Sequence, residues 1–467
     1  MYVSISQKMG QLPPDYKEEM LASIREEFSA SGKTIVVLDD DPTGTQTSHD
    51  VTVLTSWRVG LIAEELKRKP PILFILTNSR SLPEKEAVEL AHEIGYNLKE
   101  AVNASGREIV VISRSDSTLR GHFPAEVDSI ASMLDMTEAT IVLVPAFIEG
   151  GRFTIGDVHY LVENQELVPV SDTPFAHDVV FGYKHADLKL WVEEKTKGRV
   201  KAADVGSLSI DDIRVGGPQV VKEKLMACAN GSIYIVNAAS YRDLEVVAMG
   251  LIWAEKSGKK FLYRSSATLV PIRAGMESGK IFSPPKEATN SVNGALVVVG
   301  SHVPKTTSQL NWLLKNGNYQ SIEVNVAEIL QSVEPQLEAT AISRQTDEWL
   351  SAGKNVVIHT SRQLAVGTDS ESSLRINASV SDFLVNIMKS LTVRPKFIVA
   401  KGGITSSDLA SKGLSSEKAV VLGAVIPGVP VWQMDRESKF PGIKYVVFPG
   451  NVGDEAALDE VCRKLAG

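Results

Sequence analysis

The chain has 467 residues, 43% of them hydrophobic and 23% charged, a globular composition that argues against both a disordered and a membrane-embedded protein. Lys and Arg number 49 against 57 Asp and Glu, a formal charge of −8, which argues against a sequence-independent nucleic-acid binder and leaves room for a small anionic ligand held by a few local residues. The length predicts two domains.

In chain order, residues 1–30 read as an extended arm followed by a charged helix, DYKEEMLASIREEF. The segment TIVVLDDDPTGTQ (Thr34 to Gln46) then drives a continuous apolar run into Asp39, Asp40 and Asp41. Such a run predicts a strand buried in a parallel sheet. Three adjacent carboxylates repel one another and resist desolvation, so the triplet is unfavourable unless something uses it. The carboxyl end of a parallel strand is where open α/β sheets bind ligands. Next, PPILFILTNSRSL reads as a strand ending in a polar turn, and PEKEAVELAHEIGYNLKEAV as an amphipathic helix with Pro83 near its start. The runs REIVVISRSDSTLRG and ATIVLVPAFIEGGRFTIGD repeat the pattern, which predicts an α/β fold of mainly parallel strands with crossover helices.

Residues 156–200 read as irregular, and the strand–helix rhythm resumes at GSIYIVNAASYRD. The Pro- and Ser-rich segment FSPPKEATNSVNG (Phe282 to Gly294) reads as a linker. The expected division is therefore an arm over 1–30, one α/β domain over 31–283 and a second over 284–467. The second shows no repeat relating it to the first.

The strand ends of the first domain deliver Asp40, Asp41 and Asp116 together with Arg80, Arg114, Arg120 and Arg152. Guanidinium grips carboxylate or phosphate with two parallel hydrogen bonds, and a carboxylate accepts a hydroxyl proton as attack begins. The mixture suits a site that holds an anion while activating a hydroxyl. In the second domain the strand ends deliver the turns GSH (Gly300–His302), AKGGITS (Ala400–Ser406) and PGNVGD (Pro449–Asp454). Glycine lets backbone amides approach a polyanion, and the hydroxyls of Ser301, Thr306, Thr360, Ser361, Thr405 and Ser406 add donors. Taken singly these are ordinary turns, loop arginines and helix caps, and His49, His122 and His302 read as hydrogen-bonded loop residues; co-occurrence on successive strand ends is the signal.

Two motifs compete. SGKT (Ser31 to Thr34) has the ending of a phosphate-binding loop but lacks its first glycine and precedes the strand, so it is discarded. Asp39-x-Asp41-x-Thr43 matches the aspartyl nucleophile of haloacid-dehalogenase-like phosphatases, with TNSR, Lys401 and GDEAALD imitating the later motifs; there Asp39 attacks phosphorus and Asp41 is acid/base, with magnesium.

The ordered set resembles the four-carbon acid sugar kinase family, which includes threonate, erythronate and 3-oxo-tetronate kinases. The resemblance rests on Asp40-Asp41-Pro42-Thr43-Gly44, on Arg114-Ser115-Asp116-Ser117-Thr118-Leu119-Arg120-Gly121-His122, on PAFIEGGR ending at Arg152, and on SDTPFAHD (Ser171–Asp178). In the second half it rests on Gly300-Ser301, Gly402-Gly403-Ile404-Thr405 and Gly450-Asn451-Val452-Gly453, so it runs from about residue 35 to the C-terminus. It implies a sugar acid bound by the first domain, ATP by the second, an active site in the cleft between them, and γ-phosphoryl transfer to a hydroxyl. Carried over residue by residue, it gives Asp40, Asp41, Asp116 and Arg120 to the chemistry. Thr43, Arg114, Ser117 and Arg152 go to the acceptor, and Ser301, Gly402, Gly403, Ile404, Thr405, Gly450 and Asn451 to the nucleotide; the strand-end reading adds Arg80 to the acceptor and Thr360 to the nucleotide. Magnesium would bridge the phosphates, with no ligand residues assigned. The chain departs from the family pattern at Pro42, Thr47, Arg114 and His122, which leaves the acceptor's identity open, and at Ile404; a non-catalytic nucleotide sensor is the other reading.

The two cysteines, Cys228 and Cys462, have no Cys or His partner at metal-ligand spacing, so neither a disulfide framework nor structural zinc is expected and the setting is expected to be cytoplasmic. Neither a signal-like N-terminal run nor a membrane span is read, and a homodimer is the default expectation for a soluble enzyme.

Overall fold

Unbroken β-branched runs fold here as strands buried on both faces. In the computed structural model, which describes residues 2–283, 292–362 and 370–467, the chain divides into two compact units, Met1–Ser278 and Gly279–Gly467. The linker expected over Phe282–Gly294 falls largely on residues 284–291, outside the described residues.

The strands of the first unit are β1 (Val3–Ser4), β2 (Thr34–Asp39), β3 (Val51–Leu54), β4 (Ile72–Leu76), β5 (Ile109–Arg114), β6 (Thr140–Val144), β7 (Arg152–Ile155), β8 (Val158–Glu163), β9 (Glu166–Pro169), β10 (Gly206–Leu208), β11 (Ile233–Val236) and β12 (Phe261–Ser265). Its main sheet runs β10-β11-β6-β12-β5-β2-β4-β3, with every neighbouring pair parallel. Residues of β2 alternate between faces, as the period of 2 requires. Val36 and Leu38 pack on one side with Ile94 and Leu98 of helix Glu84–Ser105 and Ile130 of helix Ala125–Met133. The strand order reverses beside β2, which lies between β4 and β5, so loops diverge there and leave room for a ligand. Register sets the level at which they leave: Asp39 pairs with both Leu76 and Arg114, and Ser265 with both Arg114 and Val144. The loops after β2, β4, β5, β6 and β12 therefore emerge from one edge in one row.

Residues 156–200, expected to be irregular, are in part regular. Strands β7, β8 and β9 form a four-stranded antiparallel sheet with β1, and Leu188–Lys195 is a helix capped by the Asp187 carboxylate. The hairpin turns are Gly156-Asp157 (φ 62° and 64°) and Asn164-Gln165 (φ 48° and 66°), two-residue turns with positive φ at both centres. Short, half-polar strands hid this signal. The helix read as DYKEEMLASIREEF begins only at Leu21. Tertiary contacts override propensity before it: Arg214 takes Asp15, and Arg242 takes Glu19 and the Glu18 carbonyl. Ile24 and Phe28 of that helix are buried, so it belongs to the unit's core. The discarded SGKT segment is a helix end, with Gly32 at φ 69° as its left-handed cap.

The second unit contains β13 (Leu296–Val299), β14 (Tyr319–Val324), β15 (Asn355–Thr360), β16 (Ile398–Lys401), β17 (Lys418–Ile426), β18 (Val429–Met434) and β19 (Lys444–Phe448). Its sheet order is β17-β18-β19-β16-β13-β15-β14, parallel from β19 to β14 and antiparallel at β17 and β18. Val299 pairs with His359 and Lys401, and Lys401 with Phe448, so the turns at Gly300, Thr360, Gly402 and Pro449 also leave one edge at one level.

Candidate functional site

In the first unit the carboxylate triplet splits into three environments. Asp39 is 1% exposed; Arg114 Nη1 donates to its Oδ1 at 3.1 Å and its Oδ2 is buried with no partner. Burial pushes its carboxyl up to about 7, with Arg114 opposing. The backbone of Gly44 lies directly over it, so that even a Cβ there would collide with both oxygens. The nucleophile of the phosphatase alternative is thus closed off, and Lys401 and GDEAALD, its imitated later motifs, lie in the other unit.

Asp40 is the structural centre. Arg80 forks onto it, Nε to Oδ2 at 3.1 Å and Nη2 to Oδ1; the Ser115 hydroxyl donates to Oδ2, and Arg114 stands 3.9 Å away. Only 4% of its side chain is exposed. Asp41 is the outermost of the three, with 22% of its side chain exposed. It caps the turn Pro42–Thr47 by accepting from the Thr43 amide at 2.8 Å and from the Thr43 hydroxyl. Burial raises its carboxyl, but Arg80 and Thr43 outweigh burial and hold it below the usual range.

Asp116 accepts from Arg120 Nε at 2.7 Å and from the Thr118 hydroxyl. Burial opposes its ionisation, yet Arg120 and Arg80 hold the carboxyl far below the usual range. Arg120 also lies 3.6 Å from Asp178 and over the Phe175 ring at 4.9 Å, which ties in the SDTPFAHD segment. Of the residues expected to grip an anion, Arg80 and Arg114 are thus committed to the aspartates. Among the described residues Arg152 has no carboxylate at ion-pair distance: it bonds the Gly150 carbonyl, lies over the Phe147 ring at 5.6 Å and has its Nε unpartnered. His122 bonds the carbonyls of Ser79 and Leu82 at 3.2 Å and 3.0 Å.

Sequence reading missed the supports of this row. Arg264, at the end of β12, donates to the Arg120 carbonyl at 3.1 Å, and burial lowers its guanidinium to about 10. Glu126 is pushed up to about 7 by burial and by Asp40, and accepts from the Ser79 hydroxyl. His159, wholly buried and lowered to about 4 by burial, bonds the Ser117 carbonyl at 2.8 Å, and the Tyr183 hydroxyl bonds the Thr118 carbonyl at 2.7 Å. These two shape the loop that carries Asp116. Arg264 follows an apolar strand like the other arginines and was legible by that rule; His159 and Tyr183 sat in the segment read as irregular.

In the second unit the glycine turns surround an open cavity of about 230 Å³. Gly300, Ser301, Thr360, Gly402, Gly403, Ile404, Thr405 and Gly450 line it. Gly402 has φ 120°, and a Cβ there would lie 3.0 Å from Ser301 Cβ and 3.2 Å from its amide, so the bare backbone is what keeps the floor open. Arg362 clamps the rim, bonding the carbonyls of Ser301 at 2.7 Å and Thr360 at 2.8 Å. A glycine-walled concavity with hydroxyl donors and a cation at its rim fits a phosphate chain. Two expected donors are turned elsewhere: the Thr306 hydroxyl bonds the Gly450 carbonyl, and the Ser406 hydroxyl bonds the carbonyls of Ala400 and Gly402, so both serve the backbone. Asn451 follows Gly450 just beyond the residues that line the cavity. Among the described residues no group of three His, Cys, Asp or Glu is placed to hold a metal, and no helix is long and apolar enough to cross a membrane.

Residues 35–272 match the model of a sugar-binding N-terminal domain, and residues 296–458 that of a nucleotide-binding C-terminal domain. The chain is 24% identical over 329 residues to a D-erythronate kinase of Heliobacterium modesticaldum, covering 68% of this chain and 67% of that one. Two solved structures share the fold. One is a Salmonella typhimurium protein described as a putative tRNA synthase (TM-score 0.66, 16% identity, 92% of this chain and 99% of that one). The other is a Haemophilus influenzae protein with a domain of unknown function (TM-score 0.60, 16% identity, 91% and 98%).

Proposed function

The chain belongs to the four-carbon acid sugar kinase family, and on that footing we propose that it transfers the γ-phosphoryl group of ATP to a hydroxyl of a small sugar acid, a tetronate or 3-oxo-tetronate. The observation that carries the reading is the strand-end row of the first unit, where buried arginines are balanced by aspartates and Arg152, among the described residues, is left without a carboxylate of its own. A sugar-acid carboxylate supplies the missing partner for Arg152. Asp41, the most exposed of the triplet and already ionised, accepts the proton of the acceptor hydroxyl as its oxygen attacks phosphorus. Asp116, less exposed than Asp41 and engaged by Arg120 Nε at 2.7 Å and by the Thr118 hydroxyl, instead orients Arg120 toward the incoming phosphoryl oxygens. Ser301, Gly402, Gly403, Thr405 and Gly450 hold the nucleotide phosphates on the second unit, while Thr360 and Ile404 flank them. When bound, ATP supplies the phosphoryl group and Mg²⁺ offsets its charge.

The test is a panel of four-carbon acids assayed for ADP formation with Mg·ATP. ADP should appear only when one of the acids is present, and Arg152→Met should raise the acid's KM. A protein that binds ATP but turns over none of the panel would instead be a nucleotide sensor.

A further inference from the structure

Lys401 ends β16 beneath the glycine cavity, and its side chain is 0% exposed. Among the described residues no carboxylate pairs with it. Its Nζ donates to the Pro449 carbonyl at 2.5 Å, lies 3.4 Å from the Gly450 carbonyl and stands over the Phe448 ring at 3.8 Å. The charged group that acts on it is another cation, Lys305 of helix Pro304–Asn316. An ammonium buried without a counter-charge is unfavourable unless an anion completes it. Burial accordingly lowers the group to about 7, with Lys305 adding to the effect.

The two carbonyls it holds are successive. In a trans peptide N–H and C=O point to opposite sides. Drawing the Pro449 and Gly450 carbonyls inward therefore turns the amides of Gly450 and Asn451 away from the ammonium, at the turn where Gly450 lines the cavity. Thr306 reinforces the arrangement by donating to the Gly450 carbonyl at 3.0 Å. Successive outward amides form an anion-binding concavity.

We propose that Lys401 is the positioning residue of this anion site: it aims the Gly450 and Asn451 amides at bound phosphates and takes up a proton when those phosphates arrive. This rests on the nucleotide assignment of the second unit. Among the described residues, cations near the cavity include Lys305, Arg362 and, when protonated, His302, which burial and Arg362 lower so that it stays neutral through its ordinary range. None of them offsets the buried ammonium, whereas a polyanion does.

The test is calorimetry of ADP binding to the whole protein, without added metal, at pH 8 in two buffers of different ionisation enthalpy. ADP is fully ionised there and Lys401 is largely neutral in the free protein. Binding should take up about 0.9 proton per site, and affinity should fall about fivefold between pH 7 and pH 8. Lys401→Met should abolish the uptake and flatten the pH dependence; the wild-type measurement stands even where that variant fails to fold. Binding of ADP without proton uptake overturns the role of Lys401 and leaves the nucleotide assignment intact. Uptake that persists in Lys401→Met belongs to another group, such as His302, and also overturns it. Absence of ADP binding at both pH values overturns both.

Discussion

Asp40 and Arg80 are a buried ion pair whose removal from one side has a calculable effect. In Arg80→Met, Asp40 loses its forked partner and keeps the Ser115 hydroxyl, Arg114 at 3.9 Å and the field of the buried Arg264, with 4% of its side chain exposed. A carboxylate stranded in this way costs about 3–5 kcal/mol. Asp40→Asn should cost less, about 1–3 kcal/mol, because Arg80 is 16% exposed and still has Asp41 at 3.4 Å. The double variant should then be more stable than the sum of the two losses by about 2–3 kcal/mol. Native-state hydrogen exchange of the β2 and β5 amides reads the opening of this unit separately from the second. The pH dependence has a definite sign. Burial raises Asp41, but Arg80 and Thr43 hold it below the ordinary carboxylate range. Stability from that pair is present above the range and is lost as pH falls through Asp41's depressed value, so the Arg80→Met penalty should shrink toward pH 3. An Arg80→Met protein within about 1 kcal/mol of wild type at pH 7, or a strictly additive cycle, would falsify the central role given to this pair.

Three further outcomes follow from the same geometry. Asp41→Asn should lower kcat by roughly 10²–10⁴ while leaving the exchange of β2 amides near wild type, the reverse of Asp40→Asn; steady-state kinetics beside exchange separates them. Gly402→Ala forces a side chain into φ 120° and against Ser301, so it should destabilise the turn by about 1–3 kcal/mol and weaken nucleotide binding at least tenfold by titration. Glu126, raised to about 7 by burial and Asp40, adds stability below its unfolded value near 4.5 that is lost as pH rises through about 7. The slope over that window should be up to about 1.4 kcal/mol per pH unit, and urea titrations at pH 5 and pH 7.5 should show it gone in Glu126→Gln.

Much of this protein was legible because its signals are local. Ile35–Leu38 running into Asp39–Asp41, and Val298–Val299 running into Gly300-Ser301, announce parallel strands with polar or glycine-rich ends through hydrophobic pattern and turn residues alone. The ordered motifs carried the family as well. Local pattern also misled at its edges: Asp15–Met20 has helix-forming composition, yet Arg214 and Arg242 hold it outside the helix.

What no linear reading could assign was the division of labour within each motif. Three adjacent aspartates are chemically equal in the sequence, and only burial makes Asp39 sealed, Asp40 an anchor and Asp41 accessible. Thr306 and Ser406 likewise look like phosphate donors until the fold turns them onto carbonyls, while Lys401 is set apart by burial against the Pro449 carbonyl with no carboxylate paired to it among the described residues. Strand identity is fixed by contacts a few residues apart along the chain. Solvent exposure and ion pairing depend on partners such as Asp40 with Arg80 and Ser115, or Lys401 with Pro449, which only long-range packing brings within reach.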